Sequence, residues 1–292
     1  PLTLAHSDRA MITMAERAEV NQLLGIDSRV IYPDEIARLC PQLNLSSDVT
    51  WPIMGALYHP PGGIIRHDAV VWGFARGADH GGVEIHPYTE VTGIERQDGR
   101  VVGVRTTRGD IQCDIVVSCT AGWSSLIGDM AGVPLPITTH ILQAFVTEPI
   151  KPFLDVIIVS AQMHVYVSQT DRGEILIGAE IEPYTTYKGT STFSFLEYSA
   201  RHALELFPQL ERVKVLRQWT GLCDLSPDYS PILGKTELGW GTYGFKAAPI
   251  VGTTLAELIA IGRTPALIEP FALERFYTDT LVSELAAAAG SH

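Results

Sequence analysis

Two stretches of this chain hold residue types suited to chemistry. In the first, His67 sits between the turn Gly62-Gly63-Ile64-Ile65-Arg66 and a helix capped by Asp68. A neutral imidazole there can act as a nucleophile or a base, the alternative being an ordinary exposed histidine beside a helix start. In the second, Gly239-Trp240-Gly241-Thr242-Tyr243-Gly244 satisfies the GxGxxG string of a dinucleotide-binding turn. Its context does not match. That fingerprint follows a buried apolar strand, opens a helix at once and is followed about 20 residues later by a carboxylate. Here Gly234-Lys235-Thr236-Glu237-Leu238 comes before it and the helix waits until after Pro249. The glycines still allow backbone to approach a flat ligand. Lys246 is the only charge between Glu237 and Glu257; a lone ammonium in such a loop either stabilises developing negative charge or simply stands exposed. A helix expected from Gly252-Thr253-Thr254-Leu255 would point free N–H groups and partial positive charge at an anionic ring edge.

Other chemistries find little support. His140, His164 and His202 have no partner at metal-ligand spacing, and neither a Gly-x-Ser-x-Gly elbow nor a P-loop occurs. Cys40, Cys113, Cys119 and Cys223 fit neither zinc spacing nor a disulfide framework, which points to a reducing, cytoplasmic setting. With 21 Lys and Arg against 33 Asp and Glu, the net charge of −12 argues against binding nucleic acid or an anionic membrane. The apolar run Val156 to Val167 is broken by Ser160, Gln162 and His164 and is too short to span a bilayer. Pro1-Leu2-Thr3-Leu4 opens the chain without an initiator methionine or the basic and apolar pattern of a secretion signal, and reads as a processed or truncated start.

The elements that must position these residues can be read from periodicity. The 292 residues, 46% of them hydrophobic, suffice for roughly two domains. Ser7 or Asp8 caps a helix with Met11, Met14, Ala15, Ala18 and Leu23 on one face, ending at Gly25, and Pro33 begins a short helix that Pro41 stops. Gly55 to Ile65 is a strand and turn, and the helix after Asp68 carries Val70, Val71, Phe74 and Ala78 on one side before Gly81-Gly82. Val83 to Ile94 reads as extended chain, Asp98-Gly99 as a hairpin, Val101 to Thr106 as its return, and Ile111 to Cys119 as a strand. Ile115-Val116-Val117 is apolar throughout and so buried on both faces. Antiparallel strands are expected at Ile137 to Thr147, Val156 to Ser160, Val165 to Gln169 and Glu174 to Ile181, the last two joined by Asp171-Arg172-Gly173. A helix from Thr192 to Phe207, a strand from Val213 to Leu222 and a final helix after Phe276 complete the pattern.

Several motifs together carry a family resemblance. Gly62-Gly63 with Arg66-His67-Asp68-Ala69-Val70-Val71-Trp72-Gly73, Val91-Thr92-Gly93-Ile94, Cys119-Thr120-Ala121-Gly122-Trp123-Ser124, His164 to Gln169 and Gly239 to Lys246 occur in the order found in one group. The chain resembles the beta subunits of heterotetrameric sarcosine oxidases, within the D-amino-acid-oxidase-like flavoenzymes.

The resemblance implies a set of roles. His67 matches a histidine carrying covalent FMN, with Arg66 beside it; Val91 matches a backbone contact to the adenine of FAD; Thr120, Ala121 and Gly122 match the turn at its pyrophosphate. Gly241, Thr242, Gly244, Phe245 and Lys246 match the loop along the FAD ring system, and Lys246 and Tyr166 are the catalytic candidates. Lys246, Arg66 and Arg217 are candidate cations for a substrate carboxylate. The implied activity is oxidative demethylation of sarcosine, electrons passing from FAD to FMN and then to oxygen, in a complex with alpha, gamma and delta subunits. Another secondary amine such as proline, or a truncated non-catalytic scaffold, are the alternatives. The implied fold is an α/β flavin-binding domain from residues 66–136 and 231–292, with an α+β substrate domain of mixed or antiparallel sheet from 1–65 and 137–230. The resemblance also implies two departures at the FAD site: no strand, GxGxxG turn and helix precedes Pro1, and an apolar strand is missing before Gly239. Such a chain alone is expected to bind FAD poorly or to be unstable.

Overall fold

Local signals set most of the elements in the computed structural model, which describes residues 1–235, 240–242 and 247–282. Strand β1 (Leu2–Ala5) leads into α1 (Asp8–Leu23), whose cap Ser7 accepts a hydrogen bond from the Ala10 N–H at 3.2 Å. Then come β2 (Arg29–Ile31), α2 (Pro33–Leu39, with proline in its first turn) and β3 (Gly55–Tyr58). Helix α3 (His67–His80) precedes the meander β4 (Val91–Gln97), β5 (Arg100–Thr106) and β6 (Gly109–Gln112), followed by α4 (Ser124–Ala131). Strands β7 (Thr138–Thr147), β8 (Ile158–Ser160), β9 (Val165–Gln169) and β10 (Ile175–Ile181) lead to α5 (Phe193–Leu206) and β11 (Val215–Leu225). Short strands β12 (Ile232–Gly234) and β13 (Trp240–Thr242) and helix α6 (Ala248–Ile261) follow.

The chain divides into two compact units. Among the described residues, the first holds Pro1–Ile64 and Ile141–Leu222, the second Ile65–His140 and residues 223–282. The first is built on an eight-stranded mixed sheet of order β11-β7-β10-β9-β8-β1-β3-β2, in which β1 and β8 are parallel. The ladders β8–β9, β9–β10 and β10–β7 are antiparallel, as the hairpin pattern predicts. At the β9–β10 turn Gly173 has φ 100, and a Cβ there would fall 2.3 Å from the Ile150 carbonyl, so only glycine fits. Period-two alternation turns Val165 and Val167 into the core with Ile175, Ile177 and Phe145, against Phe195, Ala203 and Leu206 of α5. Buried Gln143 fixes the start of α5: its amide donates to Thr192 Oγ1 at 3.0 Å and accepts from the Thr192 N–H at 2.7 Å, while Thr192 caps Phe195. Phe145 is 1% exposed and meets Phe195 edge-on at 6.2 Å. Phe145→Ala is therefore expected to lower unfolding free energy by about 3–5 kcal/mol, read as a shifted denaturant midpoint.

The second unit carries three small apolar clusters. Ile94 and Ala131 join the meander to α4, whose C-terminus closes on Gly132 (φ 73) and on the Arg96 guanidinium, which donates to the Ala131 carbonyl at 2.9 Å. Leu233, Leu255, Leu258 and Ile268 pack β12 against α6, and Ile137, Ile232 and Leu273 form the third cluster. The hairpin at Asp98-Gly99 forms with both residues at positive φ, 53 and 79, the conformation its sequence demands.

Four expectations are corrected here. The strand expected over Ile111–Cys119 stops at Gln112, leaving Ile115 and Val117 57% and 43% exposed; a strand buried on both faces needs ladder partners on both sides, and residues 115–117 have none among the described residues. Extended pairing begins only at Val91, because Gly82 and Tyr88 take positive φ in the segment before it. Arg66, not Asp68, is the cap residue of α3; no residue of α3 is buried, and Val71 and Phe74 are more than half exposed. Helix α6 begins at Ala248, because Pro249 in the first turn has no N–H to leave unsatisfied, so Gly252 to Leu255 lie inside it. The final helix expected after Phe276 lies largely outside the described residues, which stop at Val282. Leu273–Phe276 is a tight 3₁₀ turn in which the Arg275 guanidinium takes the Phe271 and Ala272 carbonyls.

Candidate functional site

The described flavin-site candidates all fall in the second unit. His67 is the first residue of α3 and is exposed. Beside it Arg66 donates to Asp68 Oδ2 at 2.7 Å, the two side chains 79% and 49% exposed. The guanidinium holds the Asp68 carboxyl below its ordinary range, so it stays ionised in the first turn, where negative charge suits the helix dipole. Val91 opens β4, paired with Thr106 of β5.

The segment 118–124 is a turn rich in donors. Ala121 sits at φ 45 and starts a 3₁₀ turn with buried Gly122; the leading N–H groups of such a turn have no acceptor within it. Ser118, Thr120 and Ser124 form a hydroxyl chain, with Oγ separations of 3.1 and 3.4 Å. Thr139 Oγ1 donates to the Gly122 carbonyl at 2.6 Å and so fixes the turn. This set, hydroxyls and backbone donors with no carboxylate, suits a nucleotide's phosphates and ribose.

Gly241 and Thr242 lie on β13, paired with Leu233 and Ile232 of β12. The middle of the GxGxxG string is thus a strand and not a strand-to-helix turn, in keeping with the context of its neighbours. Gly244, Phe245 and Lys246 lie outside the described residues. Because α6 starts at Ala248, the N–H groups at a helix start are those of Ala248, Ile250 and Val251.

Tyr166 and Arg217 belong to the first unit. Tyr166 is on β9, facing away from Val165 and Val167; burial raises its hydroxyl pKa, so it is a neutral donor. Opposite it, Gly178 leaves room for the ring: a Cβ at 178 would come 2.9 Å from the Tyr166 hydroxyl. A glycine inside the apolar strand Ile175–Ile181 was the available signal for this close approach. Arg217 is exposed on β11. A separate cleft of 610 Å³ in this unit is lined by residues including Tyr58, Asp155, Thr170 and Asp171, and none of the described site candidates lines it. Among the described residues no cluster of ligands could hold a metal ion and no helix is long and apolar enough to cross a membrane.

Sequence reasoning missed Thr139, Asp228 and Arg275. Asp228 and Arg275 are each 3% exposed and joined by 2.7 and 3.0 Å bonds. They lie 47 residues apart, and no local pattern links them.

The chain as a whole is similar to known flavoenzymes. Residues 2–258 match the model of the FAD dependent oxidoreductase family, DAO. The chain is 42% identical to the sarcosine oxidase subunit beta of Arthrobacter sp, over 100% of this chain and 74% of that one. It is 41% identical to the sarcosine oxidase subunit beta of Rhodobacter capsulatus, over 100% and 72%. Among solved structures, L-proline dehydrogenase from P. horikoshii is similar, with a TM-score of 0.88 and 30% identity over 96% of this chain and 77% of that one. Glycine oxidase from Geobacillus kaustophilus shares the fold, with a TM-score of 0.83 at 20% identity over 94% and 74%.

Proposed function

Because the chain belongs to the FAD-dependent oxidoreductase family, we propose that it oxidises the N-methyl group of sarcosine as the beta-type subunit of a multisubunit sarcosine oxidase. It is a flavin oxidoreductase acting on the CH–NH group of donors. The observation that carries the substrate assignment is identity above 40% to two sarcosine oxidase beta subunits across the whole chain. When bound, FAD accepts the hydride equivalent that leaves the substrate's C–N unit.

The chain's own residues bind and orient. Ser118, Thr120 and the N–H groups of Ala121 and Gly122 would hold the FAD pyrophosphate, β4 at Val91 its adenine, and β13 at Gly241 and Thr242 the edge of its ring system. His67, exposed and with its ring nitrogens open to reaction, is the attachment point for a covalent FMN. Arg66 spends its charge on Asp68, whereas Arg217 has no ionic partner among the described residues, leaving Lys246 and Arg217 as the cations for a substrate carboxylate. The neutral Tyr166 hydroxyl orients a bound amine or carboxylate by hydrogen bonding. The partners are alpha, gamma and delta subunits, and the setting is cytoplasmic. Proline is the second reading, favoured by the likeness to proline dehydrogenase.

Oxygen uptake with sarcosine and with proline separates the two: faster turnover of sarcosine supports the proposal, and exclusive turnover of proline overturns it. Lys246→Met is expected to lower the rate of flavin bleaching by substrate about 10²–10³-fold while FAD content is kept, because an ammonium aimed at developing charge acts mainly on the transition state.

A further inference from the structure

We propose that the buried pair Asp228–Arg275 is a positioning device that sets the place of the β12–β13 hairpin, and through it of Gly241 and Thr242, relative to bound FAD. The inference rests on the reading that this hairpin lines the flavin. The pair is more than a salt bridge. Besides its fork onto Asp228, Arg275 donates to the Ser230 carbonyl at 3.0 Å and to the Phe271 and Ala272 carbonyls at 2.7 and 3.1 Å, and its guanidinium lies 4.1 Å from the centre of the Phe276 ring. Asp228 in turn accepts from the N–H groups of Ser230 and Val282 and from the Ser226 hydroxyl, each at 3.2 Å. These bonds tie the turn 226–230 to the segment 271–282 on both sides of β12.

Strand β12 begins two residues after Ser230, inside this bolt. Its residues are gripped by the same elements: Ile232 packs with Leu273, Leu233 with Ile268 and Phe271, and Gly234 lies where a Cβ would meet Ala272 at 3.7 Å. Strand β13 has β12 as its only ladder partner among the described residues, so its position follows that of β12. A guanidinium fork fixes both distance and angle of its partner, whereas an ammonium fixes only distance. Loosening the fork without removing its charge therefore lets the hairpin shift while the unit stays folded. Neither residue needs to touch the flavin for this effect.

The test is Arg275→Lys in the flavin-loaded, full-chain protein, well below its melting temperature. Affinity for FAD is measured by release and rebinding, and the setting of the ring by visible circular dichroism of the bound flavin. The expected result is an affinity lower by about ten-fold or more, as for other small displacements of a positioned group, with a changed dichroism band. Phe145→Leu, in the core of the first unit, is the control, lowering the melting temperature with the flavin signal unchanged. Should Arg275→Lys not fold, Phe276→Leu, which removes only the ring beside the guanidinium, is read in its place and is expected to alter the dichroism. Affinity and dichroism equal to the parent's in a folded variant overturn the proposal, as does an equal change in Phe145→Leu. A parent protein that holds no FAD overturns the functional reading as well, which separates that failure from failure of the positioning role alone.

Discussion

Exchanging His67 for alanine is expected to leave an acid-precipitated pellet without yellow colour, where the parent pellet stays yellow. Acid denaturation releases any flavin held only by shape and hydrogen bonds, so colour in the pellet reports a covalent bond. Of the residues near the start of α3, only His67 offers an imidazole nitrogen as nucleophile, since Arg66 stays protonated and is engaged with Asp68 Oδ2. His67 is exposed, so its removal takes away no core contact, and unfolding free energy should change by no more than about 0.5 kcal/mol. Flavin released into the acid supernatant should persist, since the residues proposed to hold FAD do not include His67. A yellow pellet from His67→Ala would assign the covalent bond to another residue, and a colourless parent pellet would remove covalent FMN from the proposal.

A large effect on stability is also expected at Arg275. Truncation to alanine strands the Asp228 carboxylate, 3% exposed, without its guanidinium. Breaking a buried pair from one side costs about 3–5 kcal/mol, and in a unit of this size the melting temperature falls by about 10 °C or more. The pH dependence follows from the same pair. Burial pushes the Asp228 carboxyl up, but the Arg275 fork and the N–H groups of Val282 and Ser230 outweigh it and hold the pKa at about 2, below an ordinary 3.8. A group depressed in the folded state stabilises it fully above its unfolded pKa and loses that contribution as pH falls through the folded one. The pair's stabilisation is therefore complete above about pH 4 and is lost between about pH 4 and pH 2. Melting curves over that window should fall steeply for the parent and be flatter for Arg275→Ala. Equal slopes would show that other carboxylates dominate acid unfolding.

Elements came out of the sequence where their cause is local. Ser7 and Thr192 each cap a helix through a hydroxyl three residues from the N–H it accepts, and Asp98-Gly99 forms its turn from the φ preferences of two residues. The turn Asp171-Arg172-Gly173 joined β9 to β10 as its residue types require, with Gly173 at φ 100. Where the cause is not local, the reading failed. The apolar run Ile115-Val116-Val117 has the composition of a central strand, but a strand exists only through the ladder partners on either side of it. The apolar face of α3 has the right period and is nevertheless exposed, because periodicity defines a face without supplying what covers it.

The sequence by itself determined the family and the local turns and caps, since each depends on residue type and short spacing. Only the tertiary structure decided two further points. It placed Gly241 and Thr242 on a paired strand and joined Asp228 to Arg275 across 47 residues. The physical reason is the same in each case: strand pairing and buried charge pairing are satisfied by groups distant in sequence, and their energies depend on desolvation and geometry that exist only once the chain has folded.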